Sequence, residues 1–470
     1  MRGRMLSATV ATLAAGALWT CAAAARPAPA GAPTVPAPLA HAARASSAAA
    51  PPPPFTLAQC RQRAHISCYT PAQLHRAYDL RALYAKGLQG QGSTIVIVDP
   101  IGSPTIAHDL AVFDKAFGVP APPRLRIIQP AGRVPPFRAS NSAMVDKAGE
   151  TTLDVEWSHA IAPKAKIVLV ETPVMEQPNT QGFPRLMAAE RFVIDHDLGD
   201  VISQSFSLPE QNFFPGEIRA LRRTDIDAER HHVTVLAASN DTGVAGPNRA
   251  GRLNPRRVVQ WPASDPLVTA VGGTELHLDA GGQRTSPDTV WNDTYDAAVS
   301  ALFGNTPPDP WASNGGVSRV FARPGYQRSV RAIVGDRRGV PDISMSAAFS
   351  GSVIDYASFP GQPAGWDVVG GTSEAAPEFA GIVALADQYA RTRLHHHRLG
   401  LINPALYELD ARHAPGIVDV TRGNNTVAFP TPAGKIVTVR GYRARRGYDL
   451  ATGIGTVDAA RFVPELARAG

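Results

Sequence analysis

The chain has 470 residues, 44% of them hydrophobic, which is ample for a real core. Length alone allows about three domains, although large α/β enzymes often hold as many residues in one unit. Lys and Arg number 46 against 40 Asp and Glu, and the net charge of +6 is carried by scattered arginines with no long basic run, so the composition argues against a nucleic-acid surface.

Arg2 and Arg4 precede an apolar stretch from Met5 to about Ala25 that closes on small residues. A short positive region, an apolar core and an Ala-x-Ala exit describe a secretory signal peptide over 1–25. An uncleaved membrane anchor is the competing reading, because the stretch approaches the ~20 residues that span a bilayer. Residues 26–54 are rich in Ala and Pro, cannot bury a core, and read as a tether. Folded sequence then runs from 55 to 470 without a second linker. With Cys21 inside the leader, Cys60 and Cys68 remain, and two nearby thiols in an exported chain predict a disulfide.

The folded part alternates apolar runs with helical patterns. Strands are expected at 94–98, 166–170, 201–205 and 233–238, and helices at 109–117, 150–161, 184–196 and 217–230. Strands spaced by helices predict a mostly parallel sheet with helices on both faces. Sites in such sheets gather beyond the carboxyl ends of the strands, where Asp241 falls.

Ser373 follows Gly370-Gly371-Thr372 and precedes an apolar helical run, which puts an exposed hydroxyl at a helix N-terminus. Such a serine is either a nucleophile assisted by local amides or a plain N-cap. A nucleophilic serine needs a base. None of the 13 histidines sits in a His-Gly-Thr setting; His395-His396-His397 reads as a solvated connection and His159 as a packed residue near a helix end. Glu150 and Asp154, at i and i+4, share one helix face. They are either a solvated face or a pair sharing a proton, with Glu150 as base and Asp154 orienting it. Asp241 is either a turn residue or, when protonated, a hydrogen-bond donor to an oxyanion.

These residues together resemble the sedolisins, or serine-carboxyl peptidases. The Gly-Thr-Ser-x-x-x-Pro motif is met by Gly371, Thr372, Ser373 and Pro377, the Glu-x-x-x-Asp helix by Glu150 and Asp154, and the oxyanion aspartate by Asp241. Further likenesses are Trp261-Pro262-Ala263-Ser264, Ala270-Val271-Gly272-Gly273-Thr274 and Arg338-Gly339-Val340-Pro341-Asp342, so the likeness covers about residue 69 to the C-terminus. The resemblance implies a subtilisin-like fold, a Ser-Glu-Asp triad and a secreted endopeptidase that acts through an acyl-enzyme, strongest in acid. It further implies protein or peptide substrates, a monomer, and no membrane span once the leader is removed. It also implies a structural Ca2+ site near the C-terminus, with carboxylates from Asp419 and Asp449 and backbone oxygens from Val420, Arg445 and Gly447. Asp99, after the first strand, aligns with a family residue that supports the acid pair. The chain departs from the family in having only the tether where a long folded propeptide is usual, a short form. Other departures are Asn240 and Arg445 where glycine is common, and Tyr448 for a common tryptophan. Two rivals stand beside this reading: a non-catalytic binding protein on a peptidase fold, and a subtilisin-type enzyme, which the missing histidine motif disfavours.

Overall fold

Runs of Ile and Val become the strands of one central sheet. The protein is described by a computed structural model covering residues 51–396 and 398–470. The expected leader at 1–25, the tether up to residue 50 and His397 lie outside the described residues. The sheet has eight strands: β1 (Thr94–Pro100), β2 (Leu125–Ile128), β3 (Lys166–Thr172), β4 (Val201–Gln204), β5 (Thr234–Ala238), β6 (Thr269–Glu275), β7 (Thr289–Val290) and β8 (Ile343–Ser346). Their order is β7-β6-β5-β4-β1-β3-β2, with β8 also paired to β6. Every pair is parallel except β6 with the short edge strand β7.

Alternation along β1 explains the layers. Ile95 and Ile97 point to one core and Val96 and Val98 to another, as a period of two requires. The first core is closed by α2 (Ser142–Ile161) and α4 (Thr372–Tyr389), through Leu153, Val155, Phe379 and Ile382. The second is closed by α3 (Phe183–Asp195), through Phe183, Leu186 and Val193. A strand buried on both faces reads as an unbroken apolar run, which is why β1 was visible in the sequence. The chain lays β2 and β3 on one side of β1 and then crosses to β4, β5 and β6 on the other. That reversal opens a crevice at the carboxyl end of β1, beside Asp99.

The helix expected at 109–117 begins at Ile106, and two others differ more. The helix expected at 150–161 begins two turns earlier, at Ser142, because the Asn141 side chain accepts the Met144 N–H at 3.3 Å and caps it. The helix expected at 217–230 is broken into Glu217–Leu221 and Arg223–Arg230. The step falls at Arg222, with ψ near 0°, whose guanidinium makes a two-point pair with buried Asp265 at 2.7 and 2.9 Å.

The α2–α4 crossing needs glycine: a Cβ on Gly381 would lie 2.6 Å from Cβ of Ile161. Outside the sheet, Cys60 and Cys68 form the expected disulfide, tying the first helix, α1 (Leu57–Ala64), to the strand Ser67–Tyr69. That strand runs parallel to Gly351–Ala357, half of a hairpin with Gly365–Val369. Contacts begin before the expected domain start at 55, since Pro52 accepts the Trp366 indole N–H at 2.5 Å. No helix among the described residues is long and apolar enough to cross a membrane.

Candidate active site

α4 begins at Thr372, with Gly371 as its N-cap at φ 104°, a backbone shape that glycine alone adopts readily. Ser373 therefore sits in the first turn. It is buried, not exposed as expected: only 5% of its surface is accessible, because α2 and the β5 loop cover it. Its N–H donates to no acceptor among the described residues. Pro377, one turn on, lacks the N–H that would bind the Ser373 carbonyl. The turn thus leaves a hydroxyl and an amide with no structural task.

The Glu150 carboxyl comes to that hydroxyl from α2, and Asp154 follows one turn along the same buried face. Both are fully enclosed. Asp99 joins them from the end of β1, with the Thr151 hydroxyl beside it and the Ser205 hydroxyl beside Asp154. No carboxyl oxygen of Asp99, Glu150 or Asp154 has a properly formed hydrogen bond among the described residues. Burial raises the pKa of all three; the Asp99 charge raises Glu150 and Asp154 further, Glu150 raises Asp154, and Glu176 and Glu171 raise Asp99. Lys147 and the Ser373 hydroxyl pull Glu150 the other way. Three enclosed carboxyls cannot all be ionised, so they share protons.

Asp241 arrives from the loop after β5. Asn240 holds the turn with φ 95°, a left-handed shape that Asn tolerates better than most residues, which accounts for its standing where glycine is common. The Asp241 Oδ1 accepts from the Thr372 N–H at 2.8 Å and from the Thr372 hydroxyl at 2.7 Å. Its Oδ2 faces Gly371, where a Cβ would lie 2.8 Å away. Burial raises its pKa while the two Thr372 donors lower it. One oxygen is thus fixed and the other is available to carry a proton beside Ser373.

All four residues expected from the sequence meet here, together with Asp99. The histidines do other work. His159 lies 2.9 Å from the Pro120 carbonyl and 3.2 Å from Asp114, a packed residue as read, and His75 binds the Ala160 carbonyl. The sequence reading missed Lys147 and Glu176, which pair inside the site; the cue was the Asn-Ser cap at 141–142, which extends the helix back through Lys147.

At the C-terminal site, the Asp419 Oδ2 accepts the Gly447 N–H at 2.9 Å. Asp449 accepts from Arg445, Ala451 and Thr452 at 2.8 to 2.9 Å. The carbonyls of Val420, Arg445 and Gly447 accept no hydrogen bond among the described residues. Among those residues there is also no cluster of three or more His, Cys, Asp or Glu suited to a metal. Two carboxylates with three idle carbonyls nevertheless fit the all-oxygen shell that calcium takes.

The sequence pattern of the Subtilase family matches residues 139–405. Kumamolisin of a Bacillus species is 32% identical over 416 residues, covering 86% of this chain and 65% of that protein. Sedolisin of a Pseudomonas species is 28% identical over 318 residues, covering 67% of the chain and 49% of its own. Human tripeptidyl-peptidase 1 is 27% identical over 316 residues, covering 65% and 50%. The chain thus spans less than two thirds of the length of these relatives. The solved structure of Pseudomonas sedolisin, a serine-carboxyl proteinase complexed with two molecules of pseudo-iodotyrostatin, superposes with a TM-score of 0.67 at 25% identity. It covers 85% of this chain and 97% of that one.

Proposed function

For a chain that belongs to the subtilase family as a sedolisin-like serine peptidase, we propose a secreted endopeptidase with a Ser-Glu-Asp triad, favoured at acid pH. One observation carries the reading: the Ser373 hydroxyl lies beside the Glu150 carboxyl in a buried turn whose neighbouring residue, Thr372, anchors Asp241. Glu150 takes the hydroxyl proton as Ser373 Oγ attacks the peptide carbonyl carbon. The carbonyl electron pair moves onto oxygen, where the Ser373 N–H and a protonated Asp241 stabilise it. Collapse breaks the C–N bond, and Glu150 returns its proton to the departing amine. Water, deprotonated by Glu150, then cleaves the ester and restores Ser373. Asp154 orients Glu150 throughout. Each step moves one proton, and none needs a histidine. The acid optimum follows from Asp241: ionised, it would repel the oxyanion, so its raised pKa is the condition for its role.

Protein or peptide chains are the substrates. Asp419 and Asp449 with the carbonyls of Val420, Arg445 and Gly447 would hold Ca2+, which supplies structural cross-linking of the C-terminal loops and no chemistry.

Hydrolysis of an unfolded protein should be followed from about pH 3 to 8, a range spanning carboxyl titration. The expected outcome is an acid maximum that falls by about 10⁴-fold or more in Ser373→Ala, the scale of triad removal. Equal rates in the two proteins would exclude Ser373 as nucleophile. Full activity of Glu150→Gln would exclude the carboxylate base.

A further inference from the structure

The segment 312–314 runs alongside the loop that carries Asp241 and grips it on both sides of that residue. The Ala312 N–H donates to the Asp241 carbonyl at 2.8 Å, and the Ala312 carbonyl accepts the Gly243 N–H at 2.8 Å. Before Asp241, the Asn314 N–H donates to the Asn240 carbonyl at 2.9 Å, and the Ser239 hydroxyl donates to the Asn314 carbonyl at 3.1 Å. After it, the Asn314 side-chain NH2 donates to the carbonyls of Gly243, Val258 at 3.2 Å and Ala245 at 3.4 Å. Carbonyls only accept, so three of them around one amide fix its NH2 end toward the loop. The whole side chain is buried. The gripping segment is itself anchored, since the Ser313 hydroxyl accepts the Gly273 N–H from β6 at 2.9 Å and the Ser313 N–H donates to the Trp291 carbonyl at 3.2 Å. From the far side, Val427 closes on the loop: a Cβ on Gly243 would lie 2.3 Å from it.

The proposed reaction depends on where Asp241 stands. Thr372 fixes one oxygen of its carboxyl, but the backbone beneath is a loop entered through Asn240 at φ 95°. A residue held in that shape costs free energy and persists only where its surroundings over-determine it. Both polar backbone groups of Asn240 are claimed: its N–H by the Thr372 hydroxyl at 2.9 Å, its carbonyl by Asn314. A donor aimed at developing charge acts only from the right place, and a misplacement of about 1 Å can cost about 10²-fold in rate.

We propose that Asn314 is a positioning residue for the oxyanion aspartate, clamping the loop 239–245 so that the free oxygen of Asp241 stays beside Ser373. This rests on the reading of Asp241 as the oxyanion donor. Asn314 touches no reacting atom; it acts through the backbone on either side of Asp241.

The test is a double-mutant cycle on peptide hydrolysis, with kcat and KM taken per folded molecule for the wild type, Asn314→Leu, Asp241→Ala and the two combined. Leu matches the amide in size and removes its donors. Asn314→Leu should lower kcat by about 10- to 100-fold with KM near the wild-type value, because the donor serves the transition state and not the bound peptide. With Asp241→Ala already present, the same change should cost less than about threefold, since nothing remains to be positioned. Equal factors in the two backgrounds overturn the proposal, as a merely structural amide would act alike in both. If Asn314→Leu does not fold, Asn314→Asp goes through the same cycle in acid. Protonated, that side chain keeps one donor, so a smaller loss of about 3- to 10-fold is expected, again absent beside Asp241→Ala, and equal factors overturn it. A wild type that cleaves no peptide, or an Asp241→Ala variant as fast as the wild type, overturns the oxyanion reading and the clamp with it; equal factors beside an impaired Asp241→Ala overturn the clamp alone.

Discussion

Asp241 has one carboxyl oxygen committed to Thr372 and the other facing the turn that carries Ser373. An amide fits the same two tasks, since its oxygen accepts and its NH2 donates at every pH. Asp241→Asn is therefore expected to keep measurable activity and to lose the decline toward neutral pH, because its donor no longer has to hold a titrating proton. Asp241→Ala, which has no donor, should lose about 10²–10³ in kcat. Rate profiles of the two variants separate the roles; an Asn variant with an unshifted alkaline limb would assign that limb to another group. Ser373, Glu150, Asp154 and Asp241 were legible because their types and spacings repeat a chemistry. Lys147 and Glu176 were not, because lysine and glutamate read as surface residues unless something shows that they pair. The burial of Ser373 was illegible as well, since it depends on α2 and the β5 loop, both distant in sequence.

At the level of elements, the buried strands announce themselves through unbroken Ile and Val, and the sheet follows from their alternation with helices. Helix ends were harder. α2 starts early through a cap, and the chain steps at Arg222 to reach Asp265, a partner no local pattern displays. The loops at 419–420 and 445–449 are held to each other by one hydrogen bond between side chain and backbone, from Gly447 to Asp419, and by Asp449 gathering its own loop. Idle carbonyls beside two carboxylates leave a cation as the natural remaining tie. Chelation should therefore lower the melting temperature, and added Ca2+ should restore it, with the rate per folded molecule unchanged. Identical melting with chelator and with Ca2+ would count against the site. α5 (Ala459–Ala469), which follows these loops, packs on α4 through Phe462 against Phe379, so the proposed cation would stabilise the fold around that contact.

Across the whole molecule, enclosed acids recur far from the active site. Burial pushes Glu190 up to about 8, and Asp293 and Asp387 up to about 7. It also holds Glu156, Asp225, Glu374 and Glu378 well above the usual carboxyl range. A raised folded-state pKa means that the folded chain binds more protons than the unfolded one between about pH 4 and the folded value. Stability is then fully present below pH 4 and is lost as pH rises through about 7 to 8. Each excess proton costs about 1.4 kcal/mol per pH unit. His75 opposes this in part: burial lowers it to about 4, so its contribution grows between about pH 4 and 6.5. One histidine is outweighed by so many carboxyls. Calorimetry from pH 4 to 8 should show a melting temperature that falls steadily; a rise toward neutrality would contradict the buried, protonated acids.

The crossing of α2 and α4 at Gly381 bears on the order in which the proposed site is assembled. Glu150 is made early in the chain and Ser373 late, and most of the sheet separates them in sequence. A partly synthesised chain carries Glu150 without Ser373. On the proposed mechanism, hydrolytic capacity would arrive only with the docking of one late helix.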